Sequence, residues 1–302
     1  MSIRLCGALA MFAVAPAFAA TPINQTRPLN ADGQVRIENI KGRIVVRTWS
    51  KPQVQVTGSL GKGVEKLEIT GDARSLDIRV KYPNSGGGWN LWGRDDSHTE
   101  ATELEVMLPS RASVDIEAVS ADVDVQQVAG RKLDVSSVSG DVVVTASSPG
   151  EASFENVSGD TTLRITSAKV DAQSVSGDLR LSGGLTGEID METVSGNLEL
   201  GAKTLDRLEV STVSGDAILR AGLAPSGSIK AETLSGELRL TLPRGTGARV
   251  HVETFSGDIS GPDLRVQHEE HGPGKSLDTK FGDGRGNINL ESFSGNVRIA
   301  FD

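Results

Sequence analysis

Five aspartates, Asp141, Asp160, Asp178, Asp216 and Asp258, each follow a glycine in a recurring Val-Ser-Gly-Asp string or a close variant of it. Asn197, Asn296 and Glu237 take the same slot in other copies. Rows of oxygen ligands suit Ca²⁺, so one reading of this series is a calcium ladder. The other is turn chemistry, because Asp and Asn close turns through their own side chains. The nine-residue calcium repeat of toxin-type β-rolls is absent, and turn chemistry is the expectation. No metal and no cofactor are expected.

Three further groups invite a chemical reading. His268-Glu269-Glu270-His271 crowds imidazoles and carboxylates together, but zinc-protease spacing needs two His at i and i+4 on a helix. Here the spacing is three, in a Gly/Pro-bounded segment, so a solvated loop is expected. Ser137, Ser174, Thr193, Thr212, Thr233, Thr254 and Ser292 share the slot three residues before a repeated glycine. No histidine recurs beside them to activate a nucleophile, and a stacked hydroxyl ladder is expected. Trp89 and Trp92 stand in a Gly-rich stretch, Gly86 to Gly93, and are the candidate binding residues, able to stack on sugar faces or enter a lipid interface. The weightier alternative is that they cover the end of a repeat stack.

The elements that must position these residues follow from the repeat. Its glycine recurs at Gly140, Gly159, Gly177, Gly196, Gly215, Gly236, Gly257 and Gly295, with Ala121 in the slot one period earlier and Gly42 in a degenerate first copy. Counted from that slot, positions −7, −5, −2, +2 and +4 are apolar: Ile189, Met191, Val194, Leu198 and Leu200 around Gly196. Alternation on both sides of a turn means strands with one face buried. A three-residue step between −5 and −2 places a bend there and all five apolar slots inside. So few inward side chains per repeat must stack on neighbours. The expected fold is all-β, a right-handed single-chain parallel β-helix (β-solenoid) of about 19 residues per coil. Residues 1–19 are read as a signal peptide and 20–110 as irregular β coils capping the N-terminal end. Residues 111–302 are read as the regular solenoid, with an irregular insertion at 261–287.

Arg4, the apolar run Leu5 to Val14 and Ala17-Phe18-Ala19 have the order of a secretory leader, with cleavage after Ala19. The run is too short to span a bilayer, and no transmembrane segment is expected after its removal. The one cysteine, Cys6, lies in the leader, so packing and backbone pairing must hold the mature chain. Loss of Arg4 takes the 31 basic residues to 30 against 40 acidic ones, and the net charge from −9 to −10. Phosphate backbones would repel such a chain, which excludes nucleic acid as an expected partner.

Ile40-Lys41-Gly42-Arg43-Ile44, the serial Ser-Gly-Asp turns, Leu104-Glu105-Val106-Met107-Leu108-Pro109 and Leu238-Arg239-Leu240-Thr241-Leu242-Pro243 together resemble the bacterial putative-adhesin family, defined by a domain of unknown function. The resemblance covers residues 34 to 301 and implies a repeat β-solenoid with no catalytic residues to carry over. The expected function is a non-catalytic, exported envelope or surface protein, periplasmic or at the cell surface, that contacts an envelope protein or glycan. One alternative is an envelope-stress or assembly component binding another protein. A second is a polysaccharide-active β-helix enzyme, disfavoured because short coils leave little wall for a cleft.

Overall fold

The computed structural model describes residues 21–83, 99–262, 266–268 and 273–302. The N-terminal end is built from β1 (Thr21–Pro28), β2 (Gln34–Trp49), β3 (Gln53–Leu60), β4 (Lys66–Gly71), β5 (Ser75–Lys81), β6 (Thr102–Pro109) and β7 (Ser113–Gln126). The middle holds β8 (Lys132–Ser139), β9 (Val142–Ser147), β10 (Glu151–Ser158), β11 (Thr161–Ser176), β12 (Leu179–Ser195), β13 (Leu198–Ser214) and β14 (Ala217–Ser235). The C-terminal end adds β15 (Leu238–Leu242), β16 (Ala248–Ser256), β17 (Ile259–Ser260), β18 (Gln267–His268), β19 (Lys275–Phe281), β20 (Gly286–Ser294) and β21 (Val297–Phe301). The described residues are all-β, and their strands join one hydrogen-bonded sheet.

Through the middle, equivalent residues of successive repeats lie side by side in parallel register. Leu163 faces Leu181, Leu181 faces Leu200, and Leu200 faces Leu219. On the other strand segment Ala172 faces Met191, Met191 faces Val210, and Val210 faces Ala231. Ala172 also adjoins Phe154, so a small side chain separates two large ones along the column. These side chains are all buried, in a single continuous apolar cluster that runs the length of the stack.

The corners line up as the repeat requires. A Cβ on Gly177 would sit 2.1 Å from the carbonyl oxygen of Gly159, and one on Gly215 would sit 2.0 Å from that of Gly196. At Gly177 φ is +147°, a conformation that side chains with a Cβ rarely adopt. Glycine is therefore required twice over at this corner, by backbone angle and by the approach of the next coil.

Two features differ from the sequence expectation. First, the −2 residues point outward and the −3 hydroxyls point inward. Ser137, Ser174, Thr193, Thr212, Thr233, Thr254 and Ser292 are buried, whereas Val175, Val194, Val213 and Leu234 are exposed. Alternation thus runs unbroken through −7, −5 and −3, and the phase changes at the glycine corner rather than before it. A small polar group at −3 lies against corner carbonyls. Asn156, in the same slot, donates through Nδ2 to the carbonyls of Gly140 and Gly159 at 3.2 and 3.0 Å, and Thr254 Oγ1 donates to that of Gly295 at 3.2 Å. Of the five slots expected to be aliphatic and inward, −7, −5, +2 and +4 are inward and −2 is not, its inward place being taken by the polar −3 slot.

Second, the stacking order is not the chain order at either end. β20 lies between β14 and β16, parallel to both: Leu290 faces Ala231 on one side and Val252 on the other. β21 likewise lies between β15 and β17. At the other end β2 lies between β7 and the pair β5 and β6, with Ile37 facing Ile116 and Ile78, and Ile44 facing Val123 and Leu104. The first and last coils of the chain are therefore the second coils from each end of the stack. Antiparallel strands finish the edges: β3 on β6, β1 on β3 and β4 on β5 at one end, and β19 on β16 at the other. Such strands break the parallel register that a second rod could extend.

Candidate interaction surface

The outward positions of the segment leading into each corner form rows along the stack. Of the eight large apolar side chains exposed among the described residues, seven are −2 residues: Val157, Val175, Val194, Val213, Leu234, Phe293 and Phe255 in stacking order. Apolar exposure among the described residues is thus one ladder rather than a scatter. Side-chain size grows toward the C-terminal end, and the ladder finishes with the rings of Phe293 and Phe255 stacked at 5.0 Å and 8°. Beside this end runs a shallow groove of about 570 Å³, lined by the last four rungs together with Glu232, Glu253, Glu291 and Lys275.

Acidic rows flank the ladder on both sides. At −4 stand Glu155, Glu192, Glu232, Glu291 and Glu253. Across the corner, at +1, stands the aspartate row. Its chemistry is hydrogen bonding between coils. Asp122 Oδ1 accepts from the backbone N–H of Asp141 at 3.1 Å, Asp141 Oδ1 from Asp160 at 3.0 Å, and Asp160 Oδ1 from Asp178 at 3.1 Å. The series continues from Asp178 to Asn197 at 2.9 Å, Asn197 to Asp216 at 3.1 Å and Asp216 to Glu237 at 2.8 Å. Asn296 Oδ1 accepts from Asp258 at 2.9 Å. Among the described residues no further coil lies beyond Asp258, and the ammonium of Lys275 fills that place, bonding Asp258 Oδ1 and, at 2.8 Å, the carbonyl of Gly257. Asn serves this row as well as Asp because the bond needs a carbonyl-type oxygen, not a charge.

On the same outward face, partial burial and then neighbouring carboxylates shift two titrations. Partial burial, then Glu192, Asp171 and Glu209, push Asp190 above the usual carboxylate range. Burial, followed by Glu38 and Asp115, does the same to Glu117. Among the described residues no group of three or more His, Cys, Asp or Glu is arranged to hold a metal ion.

The other candidate residues of the sequence are distributed as follows. Trp89 and Trp92 lie outside the described residues, as do residues 1–19, Glu269, Glu270 and His271. His268 ends the short β18. His251 is flanked by carboxylates, with Nδ1 2.8 Å from Asp278 and Nε2 3.0 Å from Glu253. Both ring nitrogens are engaged, so neither is placed to take a proton from a nucleophile. Among the described residues the buried −3 hydroxyls of Ser137, Ser174, Thr193, Thr212, Thr233 and Ser292 have no hydrogen-bond partner and do not bond each other. The exposed ladder was the feature that residue types concealed. Its signal was parity, since −2 is out of step with −7 and −5.

A search of curated proteins finds no match. A solved structure from Parabacteroides distasonis, named a "putative lipid binding protein", is similar in fold at 10% identity and a TM-score of 0.52, over 92% of this chain and 96% of that one. A Bacteroides fragilis "putative adhesin" aligns at 13% identity over 93% of this chain and 98% of that one, with a TM-score of 0.43. The sequence profile of one family of unknown function spans residues 30–300. The chain belongs to the Toastrack DUF4097 family.

Proposed function

We propose that this is an exported, non-catalytic envelope protein whose solenoid works as a contact surface for another macromolecule of the envelope. The observation that carries the reading is the ladder of seven exposed apolar side chains in register along one edge. Water-facing rows of this kind are costly unless a partner covers them. The leader-like residues 1–19 supply the route out of the cytoplasm, and the single cysteine within them leaves a mature chain suited to an oxidising compartment. On the same reading the coils are right-handed, as crossovers between parallel strands are, with the 18- to 21-residue steps seen between bonded corner residues.

The names carried by the structural relatives, adhesin and lipid-binding protein, fit a contact role, but likeness at 10% identity speaks to fold alone. The test has two parts. Cell fractionation should find the chain in the envelope, beginning at Ala20. Recovery in the cytoplasm with the leader intact contradicts export, and turnover of any acidic polysaccharide by the pure protein contradicts the non-catalytic role.

A further inference from the structure

The ladder and its two flanking rows have a charge pattern that selects among occupants. In the four coils that end the stack, the rungs are Val213, Leu234, Phe293 and Phe255. On the −4 side lie Glu232, Glu291 and Glu253, and on the corner side Asp216, Glu237 and Asp258. Lys230, Arg239 and Lys275 each offset one of these, pairing with Glu232, Glu237 and Asp258. Glu291 and Asp216 form no ion pair with a lysine or arginine among the described residues, and Glu253 has only His251. One coil further in, Glu192 is also without one. Arg298 stands beside Arg239 on the corner side, so the surplus of negative charge along the apolar strip lies on its −4 side, at Glu232, Glu291 and Glu253.

That pattern argues against two occupants. A second copy laid on the same strip would bring carboxylate rows against carboxylate rows, on chains whose net charge of −9 becomes −10 once residues 1–19 are removed. An anionic lipid surface would meet the same repulsion. The complementary occupant has an apolar stripe bordered by lysine or arginine.

Spacing narrows the partner further. Rungs on adjacent coils are about 4.8 Å apart. A helix lying along the stack presents one apolar side chain per turn, about every 5.4 Å. The mismatch is about 0.6 Å per turn, so it stays under about 2 Å across four rungs. An extended strand in the same direction repeats its face every 6.6 Å or so, is about 1.8 Å out after one rung and loses register by the second, at about 3.6 Å. Growth of the rungs from Val to Phe gives the helix its deepest contact in the groove beside Phe255 and Phe293.

We infer that the C-terminal half of the ladder is a docking trough for a basic amphipathic helix of another protein or peptide, laid along the solenoid axis with its apolar stripe on Val213, Leu234, Phe293 and Phe255. This rests on the reading of the solenoid as a contact surface and names the partner's chemistry.

The experiment uses the full mature chain and three fluorescent 18-residue peptides. One is a helix with leucine on one face and lysine on the others. One has the same composition scrambled so that no face forms. One is the leucine face with glutamate. Fluorescence anisotropy should show binding of the first only, at least tenfold tighter than the scrambled isomer and weakening as salt rises. Changing Val213, Leu234, Phe255 and Phe293 together to Ser should cost at least tenfold. Glu232→Gln, Glu253→Gln and Glu291→Gln together should cost several-fold and flatten the salt dependence. Melting curves confirm that both variants fold, and an Asp124→Asn, Glu199→Gln control, away from the trough, should bind normally. Equal binding of the scrambled isomer, or binding indifferent to the Ser variant, overturns the inference. So does ladder-dependent self-association or ladder-dependent binding to anionic phosphatidylglycerol vesicles, although either would leave the contact-surface reading standing. If the Ser variant also keeps full envelope association and no probe binds anywhere, that reading falls too.

Discussion

Phe293 lies flat on Phe255, ring centroids 5.0 Å apart and planes 8° from parallel, although the irregular 261–287 segment separates them in the chain. The stack exists because β20 lies beside β16; β20 also lies against β14, so the last coil of the sequence sits inside the one before it. A double-mutant cycle on Phe255→Ser and Phe293→Ser should give a coupling of about 0.5–1.5 kcal/mol in denaturant unfolding. Additive effects would mean that the rings do not meet in solution.

Removal of residues 286–302 tests the same topology at larger scale. In a stack following chain order, the truncation would shorten the rod by one coil and leave the rest intact. Here β16 would lose its parallel neighbour β20, and the partners of β15 and β17 would go with β21. Limited proteolysis should digest the truncated chain back to about residue 243, well past the cut. Protection that stops at the new terminus would contradict the intercalated order.

Asp178 offers a test of what the aspartate row is for. Its Oδ1 accepts from the backbone and side-chain amides of Asn197 at 2.9 and 3.1 Å, and Oδ2 holds Arg180 at 2.5 Å. Asp178→Ala orphans a backbone N–H and should cost about 1–2 kcal/mol. Asp178→Asn should stay within about 0.5 kcal/mol, since it keeps the acceptor and loses only an exposed ion pair. A calcium-induced rise in melting temperature that disappears in the Asn variant would instead assign the row to metal.

Gly177→Ala should be among the most damaging single changes. The new Cβ would lie 2.1 Å from a backbone oxygen that cannot retreat without moving its whole coil. A loss of about 2–4 kcal/mol is expected. A melting temperature unchanged by the substitution would show that the corners stack more loosely.

His251 couples the final parallel strand to its antiparallel cover. Its hydrogen bond to Asp278 of β19, opposed by burial and reinforced by the charges of Asp278 and Glu253, raises its pKa above the ordinary imidazole value. The protonated form is therefore favoured in the folded state. The stability it contributes is complete below the unfolded pKa and is lost as pH rises through the raised folded value. Amide exchange in residues 275–281 should accelerate across that window in the native protein, beyond its intrinsic pH dependence. In His251→Gln this extra acceleration should vanish; its persistence there would assign the effect to another group.

The parallel stack was legible from the chain because glycine and its flanking apolar residues carry local, periodic demands. Leu198 and Leu200 are inward for the same reason as Val142 and Val144. The orientation of Val194 and Val213 was not legible from hydrophobicity alone. Val is apolar and Thr polar, and only the geometry of the corner explains why Thr193 is inside and Val194 outside. The stacking order was hidden for a different reason. The spacing of Gly257 and Gly295 is compatible with either order, and pairing across coils is a non-local choice that no window of sequence contains. The Asp row was expected to close its own turns, whereas its side-chain oxygens accept from the next coil; that partner is 18–21 residues away and no local turn signal contains it.

The intercalated termini give the rod an unusual mechanical character. Tension at the C-terminus loads β20 and β21 between neighbours on both sides, so the ladders must slide past one another in shear instead of unzipping rung by rung. Tension at the N-terminus peels the single-edged β1 first and then meets the same resistance at β2. A protein anchored by either end would bear load as a double lap joint bears it, yielding late and all at once.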